Sequence, residues 1–372
     1  MVSQSRECAG EISVRTAYAA DQPRWDDYVL AHPQGLAYHL YSWKKAVEEA
    51  YGFSGVYLLA EHGGTILGIL PLVHLRTPFG LRDSLVSLPY CDAGGVLADD
   101  ASVQEVLLRK ARDQAAELGC RMLELRSQTP LTAEREGSGP QSSAGDQRSG
   151  KARLLLALPD SSDKLLASFK AKLRSQVRKP LRDGLYVQFG GQDLLDAFYA
   201  VFAENMRDLG SPVHSRAWIR AILKHYGSRA ICAVVFLPDG SPAACGIILC
   251  HERTVSIPWA SSLRRCNRFN PNMLLYWSFL EYAADNGYEV FDFGRSAPEE
   301  GTYRFKTQWG AEPYPLHWVK WKVGSDKTAP ADVESKSRFS GRARGLAERM
   351  IQNMPVPVST FLGSRIRKYI AL

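Results

Sequence analysis

Between Phe291 and Gly310 the chain reads F-D-F-G-R-S-A-P-E-E-G-T-Y-R-F-K-T-Q-W-G, which sets Asp292, Arg295, Tyr303, Arg304 and Lys306 among Phe291, Phe293, Phe305 and Trp309. An acid, two arginines, a tyrosine and a lysine at the edge of an aromatic core can bind a polar ligand or move charge, because partial burial strengthens their fields and shifts their pKa values. The same residues on the wet face of a hairpin would do neither. Val290, Asp292 and Gly294 alternate with Phe291 and Phe293, so the spacing predicts a strand. The Pro/Glu/Glu/Gly run predicts a turn, and a second strand is expected to carry Arg304 and Lys306.

A second set of charges suits phosphate. From Ser161 to Asp183 the sequence predicts one amphipathic helix, with Lys170, Arg174, Arg178 and Arg182 recurring every four residues on one face and Leu166, Phe169, Leu173 and Val177 on another. A solvated charged face has the same pattern; the planar guanidinium fork is what matches phosphate oxygens. Arg174, Arg178 and Lys179 are the candidates, and Pro180 should end or kink the helix after Lys179. Arg264, Arg265 and Arg268 lie just before Pro271 and a predicted helix N-terminus, where a phosphate is also favourable. No glycine-rich run precedes that helix, so a backbone cradle for a pyrophosphate is not expected.

The elements that must position these groups read as two similar halves. Tyr57–Glu61 and Thr65–His74 predict a hairpin around Gly63-Gly64, followed by a helix from Ser102 to Leu118, a stop at Gly119 and a strand ending Arg126-Ser127. Ile231–Leu237 and Pro242–His251 predict a second hairpin, followed by a helix from Asn272 to Asp285, a stop at Gly287 and a strand ending Arg295-Ser296. Mixed α/β layers, duplicated, are the expectation. A first helix begins near Asp21-Gln22-Pro23, and a second covers Trp43 to Ala50 with Ser42 as N-cap. Trp43 serves either the core or a substrate. Gln128–Gly150 has one bulky apolar residue and predicts a disordered loop, with Arg153–Leu158 returning to the first domain. The expected units are 1–160, 161–324 and a tail, 325–372.

A chain of 372 residues, 45% hydrophobic, can fill two cores. The seven cysteines include no C-x-x-C and the eight histidines no close pair, so neither a disulfide framework nor a metal site is expected. No apolar run reaches the roughly 20 residues of a membrane span, and a cytoplasmic protein is expected. Of the net charge of +7, residues 322–372 supply ten basic and four acidic side chains, or +6. A basic tail on a near-neutral body points to an anionic partner, and its F-L-G-S-R-I-R-K-Y-I-A-L ending can lie on an anionic inner membrane or pack back on the body.

D-F-G-R-S, an acidic turn and F-K-x-x-W-G together resemble the C-terminal signature of the Fem family of aminoacyl and acyl transferases, in particular the FemAB-like subgroup associated with PEP-CTERM and exosortase loci. S-L-V-S-L-P-Y-C-D-A-G-G-V-L-A-D-D at Ser84–Asp100 and N-M-R-D-L-G-S-P at Asn205–Pro212 carry the same resemblance. It implies an α/β (α+β) chain of two tandem GNAT-like domains, with mixed sheets flanked by helices, that transfers an acyl or aminoacyl group to an amine of a saccharide or peptide envelope precursor. The donor implied is an aminoacyl-tRNA, an acyl-CoA or another activated acyl carrier. Lys306 would stabilise developing charge or a donor phosphate. Asp292 would orient or deprotonate the amine, or form an ion pair with Arg295. Tyr303 and Arg304 would shape the pocket, and Trp43 would open the substrate side. No G-x-S-x-G or Cys/His nucleophile is present, so direct transfer is favoured. The competing reading is a non-catalytic envelope-assembly or RNA-binding protein that uses the basic helix and tail. If the Asp292–Lys306 constellation faces a closed cavity with room for a substrate the enzyme is favoured; if its charged groups point into bulk water the binder is.

Overall fold

The computed structural model describes residues 12–77, 83–131, 150–324, 328–330 and 338–371, with side chains for all but 328–330 and 338–344. The first half contains β1 (Ser13–Thr16), α1 (Gln22–Ala31), α2 (Tyr41–Tyr51), β2 (Gly55–His62), β3 (Thr65–Leu75), β4 (Ser84–Val86), β5 (Leu97–Ala98), α3 (Ala101–Glu117) and β6 (Met122–Ser127). Then follow β7 (Ala152–Ala157), α4 (Ser162–Ser168), α5 (Ala171–Arg182), β8 (Tyr186–Gly190), α6 (Leu195–Asp208) and α7 (Arg216–Tyr226). The second hairpin and its sequel are β9 (Ala230–Phe236), β10 (Pro242–Cys250), β11 (Thr254–Ser262), α8 (Pro271–Asp285) and β12 (Val290–Ser296). The chain closes with α9 (Gly301–Thr307), β13 (Glu312–Pro315), β14 (His317–Lys322), β15 (Thr328–Pro330), α10 (Arg338–Gln352) and α11 (Val356–Arg367).

Two mixed sheets result, flanked by helices as expected. The first runs β1-β2-β3-β4-β6-β14-β15 with β5 on β3, and the second β13-β7-β12-β11-β10-β9-β8. In each, an antiparallel hairpin leads to a parallel pair joined through a helix: β4 with β6 by way of α3, and β11 with β12 by way of α8. The Asp100 carboxylate caps α3 at Val103 N, and Gly119 leaves it at φ +66°, a conformation glycine adopts freely. One core under α3 and another under α8, α4 and α5 cover the outer faces. A third, containing Trp25, Trp43, Trp218 and Trp259, is shared between the halves.

The strand expected to return to the first domain does not. β7 pairs antiparallel with β12, burying Leu154 and Leu156 in the second core, while β14, from the end of the second half, pairs with β6 in the first sheet. The halves therefore exchange a strand, and a boundary at residue 160 cuts the second sheet. The predicted loop lies outside the described residues for 132–149, although its flanks are held: Leu131 is buried, and Gln128 accepts from Arg153 at 2.5 Å.

Four local expectations change. The single helix over Ser161–Asp183 is two, broken at Phe169 and Lys170, with Phe169 buried against Trp277 and Trp309. Pro180 sits inside the last turn of α5. Helix α2 begins two residues earlier than the Ser42 cap would place it; Tyr41 N donates to Asp26 at 2.7 Å and Ser42 Oγ to His225 O. P-V-P-V starts α11, because proline fits the first helical turn. Most consequential, residues 301–307 form helix α9, not a strand. Glu300 receives Ala297 N and Thr302 Oγ1 at 3.2 Å each, and one turn of helix sets Phe305 against Tyr276, ring centroids 4.9 Å apart.

Candidate active site

The parallel strands β11 and β12 pair only from Thr254/Val290 to Ser256/Asp292, although they run on to Ser262 and Ser296. They part at Asp292. On the other side of β12 the register with β7 slips between Asp292 and Arg295, and Gly294 takes φ +72° inside the slip. Such a bulge re-aims the residues after it. Ser256, the last paired residue of β11, buries a hydroxyl that has no hydrogen-bond partner. In the first half, the loop after β4 fills the equivalent place: Ser87 N donates to Glu124 O and Gly94 N to Arg126 O. Asp92 from that loop reaches into the second half, where its carboxylate accepts from Arg295 N at 3.0 Å and pairs with Arg295 Nε at 2.9 Å.

Asp292 is buried, and its partner is not Arg295. Oδ2 accepts from Arg153 Nε at 3.1 Å and Nη2 at 2.7 Å, and Oδ1 from Gly294 N at 2.9 Å. A carboxylate so occupied fixes the bulge. Lys306, on α9, is 8% exposed and donates to Arg295 O at 2.9 Å. Burial pushes its pKa down to about 8 against the upward pull of Asp92, Asp292 and Glu300. The ammonium is therefore neither a solvated edge charge nor one locked in a tight ion pair, and it can give or hold a proton near neutral pH.

Arg126 and Arg295, the two residues whose Arg-Ser endings mark the duplication, converge on Trp318 of β14, with guanidinium carbons 4.8 and 4.9 Å from its ring. Trp318 Nε1 donates to Asp92 O at 3.1 Å. Arg126 is wholly buried, paired with Glu124 and bonded to the carbonyls of Cys91 and Ala371. Tyr90 N also donates to Ala371 O, at 2.6 Å. The last described residues thus lie beside the same cluster.

Of the residues singled out from sequence, Asp292, Arg295 and Lys306 are brought together. Helical geometry separates Arg304, which is exposed, from Lys306, which is buried, and Tyr303 packs half-buried on the second core. Trp43 is fully buried, donates to Pro89 O at 3.2 Å and stacks 6.3 Å from Trp259, so its place is in the shared core and not on a substrate surface. Asp92, Arg153, Arg126 and Trp318 were missed; the repeated Arg-Ser ending was the signal for one of them.

The phosphate candidates form a second cluster. Arg174, Arg178 and Arg182 line an open groove of about 480 Å³ on α5 with Ser175 and Leu181. Arg174 also caps α4 through Phe169 O at 2.7 Å. Lys179 pairs with Asp183 and donates to Arg268 O at 2.9 Å, tying the groove to the turn before α8. In that turn Arg264 is exposed, while Arg265 is paired with Glu204. The N–H groups of Cys266, Asn270 and Met273 are spent on Leu263, Asn267 and Asn270 carbonyls. A further cavity of about 270 Å³ lies between α3 and β14, and neither cavity is lined by Lys306 or Asp292.

Two mixed sheets, each with a hairpin and a helix crossover to a parallel pair, which in the second sheet parts at its end, define a tandem GNAT-like fold. Residues 167–307 match the acetyltransferase (GNAT) domain family. The solved structure of FemX is similar over 84% of this chain and 97% of its own, with 14% identity and a TM-score of 0.67. The C-terminal domain of a protein assigned as a lysylphosphatidylglycerol synthetase from Agrobacterium fabrum is similar over 81% and 91%, with 16% identity and a TM-score of 0.53. A tandem GNAT protein of the clavulanic acid biosynthesis pathway is similar over 85% and 100%, with 14% identity and a TM-score of 0.52. No curated protein matches the sequence. At these identities the structures share the fold.

Proposed function

We propose that this chain is an N-acyl or aminoacyl transferase acting on an amine of a cell-envelope or exopolysaccharide precursor. The observation that carries the reading is the enclosure of Lys306 beside Asp92, Asp292 and Arg295 where β11 and β12 part, within the segment that matches the GNAT domain. A solvated binding surface would leave these charges in water, whereas here they are drawn into an aromatic and hydrogen-bonded enclosure. The similarity in fold to FemX and to a lysylphosphatidylglycerol synthetase domain agrees with aminoacyl transfer to an envelope component.

In this reading the neutral amine attacks the acyl carbon, the new C–N bond forms, and the C–O or C–S bond to the carrier breaks. The ammonium of Lys306 faces the charge that develops on the acyl oxygen and gives its proton to the leaving group, and the neutral lysine left behind then takes the surplus proton of the new C–N bond. Asp92 and Asp292 act as positioning residues by fixing Arg295 and the Gly294 bulge. The groove of Arg174, Arg178 and Arg182 would take donor phosphates through side chains, since the N–H groups of Cys266, Asn270 and Met273 around the start of α8 are already bonded. That favours an aminoacyl-tRNA or another phosphate-rich carrier over acetyl-CoA.

The test is to incubate the purified chain with aminoacyl-tRNA or with acyl-CoA, together with extracted saccharide and peptide precursors, and to follow acceptor mass. Acylated acceptor that is absent with Lys306→Met supports the reading. No product from either donor class, with tRNA still retained, would replace the enzyme with an RNA-binding protein.

A further inference from the structure

Half of the strongly exposed large apolar side chains among the described residues fall within 346–370: Leu346, Met350, Val358, Phe361, Leu362, Ile366 and Ile370. Leu346 and Met350 on α10, and Val358, Phe361, Leu362 and Ile366 on α11 with Ile370 just beyond it, recur at three- and four-residue intervals, so each helix carries an outward apolar stripe. The inward faces are fixed. A Cβ at Gly363 would stand 2.9 Å from Val213 N, Ser359 is buried, and Gly210 approaches Glu348 O so closely that its Cβ would lie 2.8 Å away. Gln352 Nε2 reaches Asp208 O at 3.4 Å and Arg207 Nη1 reaches Met354 O at 3.4 Å. The tail packs on α6 and the Leu209–Pro212 turn, and this packing turns the stripe outward.

We propose that α10 and α11 form a platform that lies flat on an anionic lipid surface. Residues 338–371 hold seven basic side chains and one acidic. Arg349 and Arg365 are exposed beside the stripe, and Arg365 folds over the Phe361 ring at 3.6 Å, the posture of a cation that reaches headgroups while its stem covers apolar surface. No helix of the described residues is long and apolar enough to cross a bilayer, so contact is with the surface. A second copy of the chain fits this patch less well, because a symmetric contact would set arginines against arginines.

The full chain is to be sedimented with vesicles of phosphatidylcholine alone and of phosphatidylcholine mixed with phosphatidylglycerol. Binding is expected to the mixed vesicles and to weaken with salt. Phe361→Glu with Leu362→Glu, both exposed and so compatible with folding, should lower partitioning roughly tenfold or more; Met350→Glu is the independent variant on α10. Arg349→Gln with Arg365→Gln should remove the preference for anionic vesicles. Equal sedimentation of wild type and the glutamate variants would overturn the proposal. So would a concentration-dependent dimer in light scattering that those variants abolish.

Discussion

Replacing Lys306 with Met tests the enclosure of the site by thermodynamics as well as by activity. In the folded chain burial lowers the lysine pKa from 10.5 to about 8. The unfolded chain therefore binds more protons between those values, and stability rises with pH across that window. Below about pH 8 the buried ammonium costs about 3 kcal/mol, at 1.4 kcal/mol per tenfold; the cost fades as pH approaches 10.5. Methionine does not titrate. Relative to wild type, Lys306→Met should be most favoured at neutral pH and lose about 2 kcal/mol of that advantage by a pH of about 10. Leaving Arg295 O without its donor costs about 1–3 kcal/mol at every pH, which offsets the curve without tilting it. Urea unfolding followed by tryptophan fluorescence at a series of pH values gives the difference directly, because other titrating groups cancel between the two proteins. A difference that stays flat would mean that Lys306 is solvated, and would remove the physical basis for its role. Acyl transfer should be lost in the same variant.

Arg153→Met should cost about 3–5 kcal/mol in urea unfolding, since it strands the Asp292 carboxylate in the core, and Asp292→Asn in the same chain should recover part of the loss. No recovery would mean that the pair is not coupled. Gly294→Ala places a Cβ 2.9 Å from Asp92 Oδ2 at φ +72°; a loss of about 1–3 kcal/mol is expected in thermal unfolding, and an unchanged midpoint would contradict the close approach. Arg174→Ala with Arg178→Ala should weaken tRNA or donor binding and flatten its dependence on salt, whereas a loss that is independent of salt would point to misfolding.

Much of the layering was legible because hairpin turns and helix stops are local. Gly63-Gly64, Gly119 and Gly287 announce themselves by residue type, and the repeated Arg-Ser endings revealed the duplication. Strand exchange was hidden, since β7 is a short apolar run and β14 the alternating H-W-V-K-W-K, and nothing in either names its neighbour. The site was half legible. Asp292, Arg295 and Lys306 stood out within one motif, but their partners Asp92 and Arg153 lie 203 and 139 residues away. Reading residues 301–307 as a strand put Arg304 and Lys306 on one face; as a helix they point apart, and only packing of Phe305 on Tyr276 decides between the two.

Strand exchange also bears on how the chain is made. β6 appears early in synthesis, yet the strand that covers its edge, β14, follows about 190 residues later. At 5–20 residues per second that edge waits on the order of 10–40 s. Meanwhile β7 leaves the ribosome first, an apolar strand equivalent in position to β14 and free to occupy its place. A nascent chain with β7 on β6 would be compact, plausible and wrong, and escape from it requires the pairing to open before β12 can claim its strand. We expect refolding followed by tryptophan fluorescence to show a slow phase of this origin, and a single fast phase would refute the idea.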